Sequence, residues 1–126
     1  MTDATPKILD TLCAKYGQKM AQNNKDIVER LVTKALAVLQ EQGVYALALF
    51  LLSRKGDEKN VGKQILSELR KLLNESYNNL FPINKPSDNL KFFLERVVND
   101  LDTMLLVKDL FEQTLIYARF SAKAGG

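Results

Sequence analysis

Proline stands only at positions 6, 82 and 86, so the stretches 7–81 and 87–126 run without one. Proline removes a backbone donor and clashes with the preceding turn, so a chain this free of it has long segments open to helix. Of the six glycines, two are Gly125 and Gly126 at the C-terminal end. The apolar residues between these breakers recur at three- and four-residue spacing, the period of a helix with one buried face. A hydrophobic content of 46% supplies a core and separates the chain from disordered tails. Its 126 residues match one ordinary domain. A domain of that size buries roughly two-thirds of its unfolded surface and folds without disulfides or metals. The expectation is an all-α chain, a compact bundle of five to six helices forming a single helical domain over 1–126.

Thr5-Pro6 reads as an N-cap followed by proline at the first helical position, opening a helix from Pro6 to about Gln22 with Ile8, Leu9, Leu12, Tyr16 and Met20 inward. Asn23-Asn24 gives a turn and a side-chain cap for a second helix. Its face is Ile27, Leu31, Ala35, Val38 and Gln42, widened by Val28, Val32 and Leu39, and Gly43 is its left-handed stop. The nine apolar residues Val44–Leu52 have a strand-like run, but their alanines and leucines and their helical flanks favour a third helix, almost wholly buried and ending near Lys55. Gly56-Asp57-Glu58-Lys59 is a loop and Asn60 a cap for helix four, marked by Val61, Ile65, Leu69, Leu72 and Ser76. Gly62 falls on its apolar side, where another helix can come close. Residues 78–87, with Pro82 and Pro86, form a long loop whose Leu80, Phe81 and Ile83 pack down. Ser87 or Asp88 caps the last segment, where Leu90, Leu94, Val97, Leu101, Met104, Lys108, Phe111, Leu115 and Ala118 follow a 4-3 spacing. That segment is either one helix of roughly 35 residues or two folded at Asn99-Asp100 or Asp102-Thr103; its length favours two antiparallel helices.

Catalytic equipment is scarce. Histidine is absent, which removes the commonest general base and metal ligand together with every Ser-His or Cys-His nucleophile. The one cysteine, Cys13, lies a turn from Leu9 and reads as a core thiol. Asp100, Asp102 and Asp109, and the adjacent Asp57 and Glu58, read as acids on solvated faces. The stretch 56–63 ends in Gly-Lys but lacks the spacing of a phosphate-cradling loop and follows no strand. No enzyme, cofactor, metal or small-molecule substrate is expected. No apolar run approaches the roughly 20 residues of a bilayer span. Met1–Pro6 has no basic region leading into an apolar one, so the expected location is the cytoplasm, off the membrane.

Net charge is only +3, but it is unevenly placed. Residues 1–53 carry a net +1, residues 54–71 a net +3 and residues 72–126 a net −1. The excess therefore sits on Arg54, Lys55, Lys59, Lys63, Arg70 and Lys71. On a helical wheel Lys59, Lys63 and Arg70 share one flank of the apolar stripe with Asn74 and Tyr77, while Glu68 and Glu75 lie on the other. A basic row with an aromatic beside it suits a nucleic-acid backbone; a solvated helix face is the other reading. Arg30 and Lys34 share a face with Glu41 and read as ordinary surface. Lys15 and Lys19 form a smaller basic pair able to join the patch in space.

The stretch 39–53, Leu-Gln-Glu-Gln-Gly-Val-Tyr-Ala-Leu-Ala-Leu-Phe-Leu-Leu-Ser, followed by Arg54-Lys55, resembles the small all-helical subunit of Cmr-type (type III-B) CRISPR effector complexes. Those subunits have an apolar helix, a glycine corner and a second apolar helix ending in a Ser-Arg/Lys step. The closing stretch Thr114–Ala124 is similar to the family's basic, alanine-rich C-terminal helix. The resemblance covers about a third of the chain, is one of packing and carries over no individual contact residue. It implies an antiviral-defence protein whose copies stack beside other CRISPR effector subunits along a guide–target RNA groove without cutting. A helical protein–protein adaptor pairing through its C-terminal heptad-like face is the alternative, motivated by Lys108 at a seam position.

Overall fold

The computed structural model describes residues 6–77 and 101–125. They form α1 (Pro6–Met20), α2 (Lys25–Gln42), α3 (Val44–Leu52), a 3-10 turn (Gly56–Glu58), α4 (Lys59–Tyr77) and α5 (Leu101–Gly125). The architecture is all-α, as the spacing requires. Around the molecule α5 packs on α1 and α2, α1 on α4, α4 on α3, and α3 back on α2. The helices therefore form a ring about one shared core, with α5 across from the α3–α4 pair.

The core is drawn from every helix. Tyr16 and Met20 of α1, Leu31, Val32 and Leu39 of α2, Leu47 and Leu51 of α3, Ile65, Leu69 and Leu72 of α4, and Phe111 and Leu115 of α5 are all buried. The buried face of α2 is Val28, Leu31, Val32, Ala35, Leu36 and Leu39. It is turned slightly from the expected one: Ile27 and Val38 sit at its edge and Gln42 is exposed. In α3 only Val44, Leu47, Ala48 and Leu51 are buried, while Tyr45, Leu49 and Leu52 face outward. A helix in a single ring has core on one side only, so the expected near-complete burial of α3 does not hold.

The turns also differ in detail. Asn24 precedes α2 in the left-handed region (φ 55°, ψ 49°) and makes no side-chain cap; its carbonyl instead accepts from the Val28 N–H at 2.9 Å. Gly43 has positive φ, but its ψ of −174° places it outside the left-handed helical well, and it joins α2 directly to α3. That combination is open only to glycine. Asn60 lies inside α4, because the 3-10 turn at 56–58 runs straight into the helix at Lys59. The expected close approach at Gly62 is present. A Cβ there would lie 2.6 Å from the carbonyl oxygen of Leu51, so α3 ends against the bare backbone of α4.

From Leu101 onward α5 is one uninterrupted helix, which rules out a fold at Asp102-Thr103. The Thr5 cap, the 78–87 loop, the Ser87/Asp88 cap, the seam positions Leu90, Leu94 and Val97, and a break at Asn99-Asp100 all lie outside the described residues.

Candidate nucleic-acid interface

Helix α4 buries Val61, Ile65, Leu66, Leu69, Leu72 and Leu73, so its remaining arc is turned outward. Lys59 and Lys63 stand one turn apart on that arc, both exposed, and Lys55 is exposed on the segment leading into it. Among the described residues none of these three lysines has a carboxylate within ion-pair distance. Arg70 continues the row two turns on but is half-buried. The side chains of Asn74 and Tyr77 lie outside what is described.

Arg54 and Lys71, both expected contacts, are engaged elsewhere. The Nε of Arg54 donates to the Phe50 carbonyl at 3.0 Å. Its guanidinium lies 4.0 Å from the Phe50 ring centroid, and Nη1 is 3.6 Å from Glu58. Arg54 thus closes the end of α3 more than it offers a free charge. Lys71 lies 3.8 Å from Glu68, three residues back, and so leans toward the acidic flank. Lys15 and Lys19 do not join the row. Both lie over the Tyr16 ring, Lys15 pairs with Glu75 at 3.3 Å, and Tyr16 donates to the same carboxylate. Glu75 holds this cluster at the α1–α4 seam.

Glu58 departs from its sequence reading. It is no solvated acid: its side chain is only 10% exposed and meets three cations. Arg30 Nε and Lys34 Nζ each donate to Oε2 at 3.1 Å, and Arg54 approaches Oε1. Burial alone would push the Glu58 carboxyl up, but the hydrogen bonds from Lys34 and Arg30, with their charges, hold it below its ordinary value. Beside it, Arg30 Nη2 reaches both oxygens of Asp57, at 3.1 and 3.0 Å. Arg30 and Lys34 are therefore part of the basic corner and not ordinary surface. Their i, i+4 spacing on α2 was visible in the sequence; their partner, more than twenty residues away, was not.

Cys13 is a core thiol. It is buried, its Sγ donates to the Leu110 carbonyl at 3.6 Å, and burial pushes its pKa up, away from a reactive thiolate. Among the described residues no group of three His, Cys, Asp or Glu side chains is placed to hold a metal ion. Nor is any described helix long and apolar enough to cross a membrane.

The cationic surface thus runs from α2 across the 3-10 turn to the first two turns of α4, with free ammonium groups on α4 and paired cations behind them. In comparisons with known proteins, no family model matches the chain, and no curated protein or solved structure matches it significantly.

Proposed function

We propose that this chain is a non-catalytic structural subunit of a CRISPR ribonucleoprotein, of the small helical kind found in Cmr-type (type III-B) effectors. In this reading it acts in the cytoplasm in antiviral defence, stacks with copies of itself and with other effector subunits, and contacts guide–target RNA through its basic surface. The observation that carries the RNA contact is the set Lys55, Lys59 and Lys63, exposed at the start of α4 and, among the described residues, without a carboxylate within ion-pair distance. Unpaired ammonium groups in line attract a phosphate backbone by displacing its counterions. The packing resemblance of 39–53 and 114–124 supports the family assignment. Stacking draws support from exposed apolar side chains on opposite sides of the ring: Tyr45, Leu49 and Leu52 on α3, and Leu101, Leu105 and Phe120 on α5. Two separate contact faces on one subunit allow open, head-to-tail association.

Reversing charge at Lys59→Glu with Lys63→Glu tests the reading. RNA retention should weaken and its salt dependence flatten by about 0.7 logarithmic units per lost single-strand phosphate contact, with helicity unchanged. Undiminished retention removes this site. An adaptor that pairs through α5 without RNA is the second reading, favoured by the exposed Leu101, Leu105 and Phe120. Sedimentation across concentrations examines it; a strict monomer that retains RNA in low salt counts against it.

A further inference from the structure

We infer that Arg30 and Lys34 form a second phosphodiester-binding point beside the α4 lysines, and that Asp57 is its built-in competitor. The inference rests on the nucleic-acid reading above and adds to it residues on a different helix and a carboxylate that opposes binding.

The arrangement has two layers. Glu58 lies underneath and fixes Arg30 by Nε and Lys34 by Nζ. The Nε of the guanidinium is thereby anchored, and Nη2 is left to a more exposed partner. Both Asp57 oxygens accept from Nη2, yet the Asp57 side chain is 64% exposed and that of Arg30 is 46% exposed. An exposed pair of this kind is worth little, because water and salt screen it. A phosphate presents the same paired oxygens and the same charge, so it can take the place of Asp57 on a guanidinium already oriented to receive it. Charge balance favours the exchange. Arg30, Lys34 and Arg54 meet Asp57 and Glu58, and Lys55 and Lys59 flank these two acids in sequence, which leaves the corner positive among the described residues. Glu58 is buried, whereas Asp57 is exposed. Among the described residues its hydrogen bonds go to Arg30 Nη2.

The experiment measures binding of the full chain to a fluorescent oligouridine of about 20 nucleotides in low salt. Asp57→Asn should tighten binding roughly fivefold and Arg30→Gln weaken it by a similar factor. In the double variant the gain from Asp57→Asn should vanish, since the carboxylate competes only for that guanidinium. Asp109→Asn removes the same charge from α5, fourteen residues from the Lys123 that pairs with Glu29 beside Arg30, and should change binding much less. A general loss of structure would weaken every variant, so tightening by Asp57→Asn cannot come from misfolding. Equal effects of Asp57→Asn and Asp109→Asn, or additive effects in the double variant, overturn the inference. If Lys59→Glu with Lys63→Glu weakens binding while Arg30→Gln and Asp57→Asn leave it unchanged, the corner fails and the α4 row stands. If the row variants have no effect and the Arg30 and Asp57 variants behave as described, the row fails and the corner stands. No RNA binding by the unaltered chain overturns both.

Discussion

A carboxylate withdrawn from water stays ionised only where its neighbours replace the lost hydration, and Glu58 has Arg30, Lys34 and Arg54 to do so. Replacing it as Glu58→Gln leaves three cations crowded together at the junction of α2, α3 and α4. Unfolding in urea should show a loss of about 1–3 kcal/mol, below the roughly 3–5 kcal/mol for breaking a fully buried pair because the cations remain half in water. Of the three cations, only Arg54 stands within one helical turn of Glu58 in sequence. The bonds to Arg30 and Lys34 depend on how α2 lies against the 3-10 turn, which no local spacing encodes. Gly62 is the opposite case, since its place on the apolar side of α4 already implied a close neighbour. Gly62→Ala puts a methyl group within 2.6 Å of the Leu51 carbonyl oxygen, and neither backbone yields easily. A destabilisation of about 1–3 kcal/mol is expected, read as a lower urea midpoint with an unchanged slope.

At the scale of the element, α5 shows how periodicity names a helix and still misplaces its face. The 4-3 series Leu101, Met104, Lys108, Phe111, Leu115 and Ala118 has a period of 3.5, whereas a straight helix turns once every 3.6 residues. The series therefore rotates by about 20° per heptad. Leu101 begins 63% exposed, Lys108 is half-buried at the edge, and only Phe111, Leu115 and Ala118 reach the core. The packed face is instead Val107, Leu110, Phe111, Thr114, Leu115, Ala118 and Ala122. Lys108 at the rim therefore places no cation in the core and gives no ground for expecting a partner helix there. Two leucines from one sequence series should then behave differently. Leu115→Ala should cost about 2–5 kcal/mol. Leu101→Ala should fall within about 0.5 kcal/mol of no effect. Comparable losses at both sites in denaturant titrations would contradict this register. Helix type and the boundaries of α2 were legible because propensity and amphipathic period agree there. The outward face of α3 was not, since a run of nine apolar residues carries no mark of which side meets the core.

Across the whole molecule, pH acts at two seams in opposite directions. Glu75 is held below the ordinary carboxylate range by the Tyr16 hydroxyl and by Lys15, and Glu58 is lowered as well. Their contribution to stability is complete above the unfolded value of about 4.3 and is lost as pH falls through the lowered folded values. Tyr16 is raised by burial and by the Glu75 carboxylate. Its contribution is complete below about 10 and is lost as pH climbs through the raised folded value. Urea midpoints should decline at both ends, and Tyr16→Phe should flatten the alkaline decline. An alkaline limb unchanged by that substitution would show that Tyr16 does not cause it.

The ring order also governs timing. The helix that fills the groove between α1 and α2 is synthesised after the other four described helices, and its contacts with α1 join residues about a hundred positions apart. Cys13 meets Leu110 across 97 residues, and Tyr117 meets Asp10 across 107. Such distant pairings carry a large loop-closure cost before they return anything, which slows folding relative to bundles built from neighbours. While a ribosome is still translating residues 101–125, the apolar walls of α1 and α2 stand open to solvent. The core of the described residues closes only after α5 emerges, and until then the nascent chain presents a groove to any chaperone or sticky surface within reach.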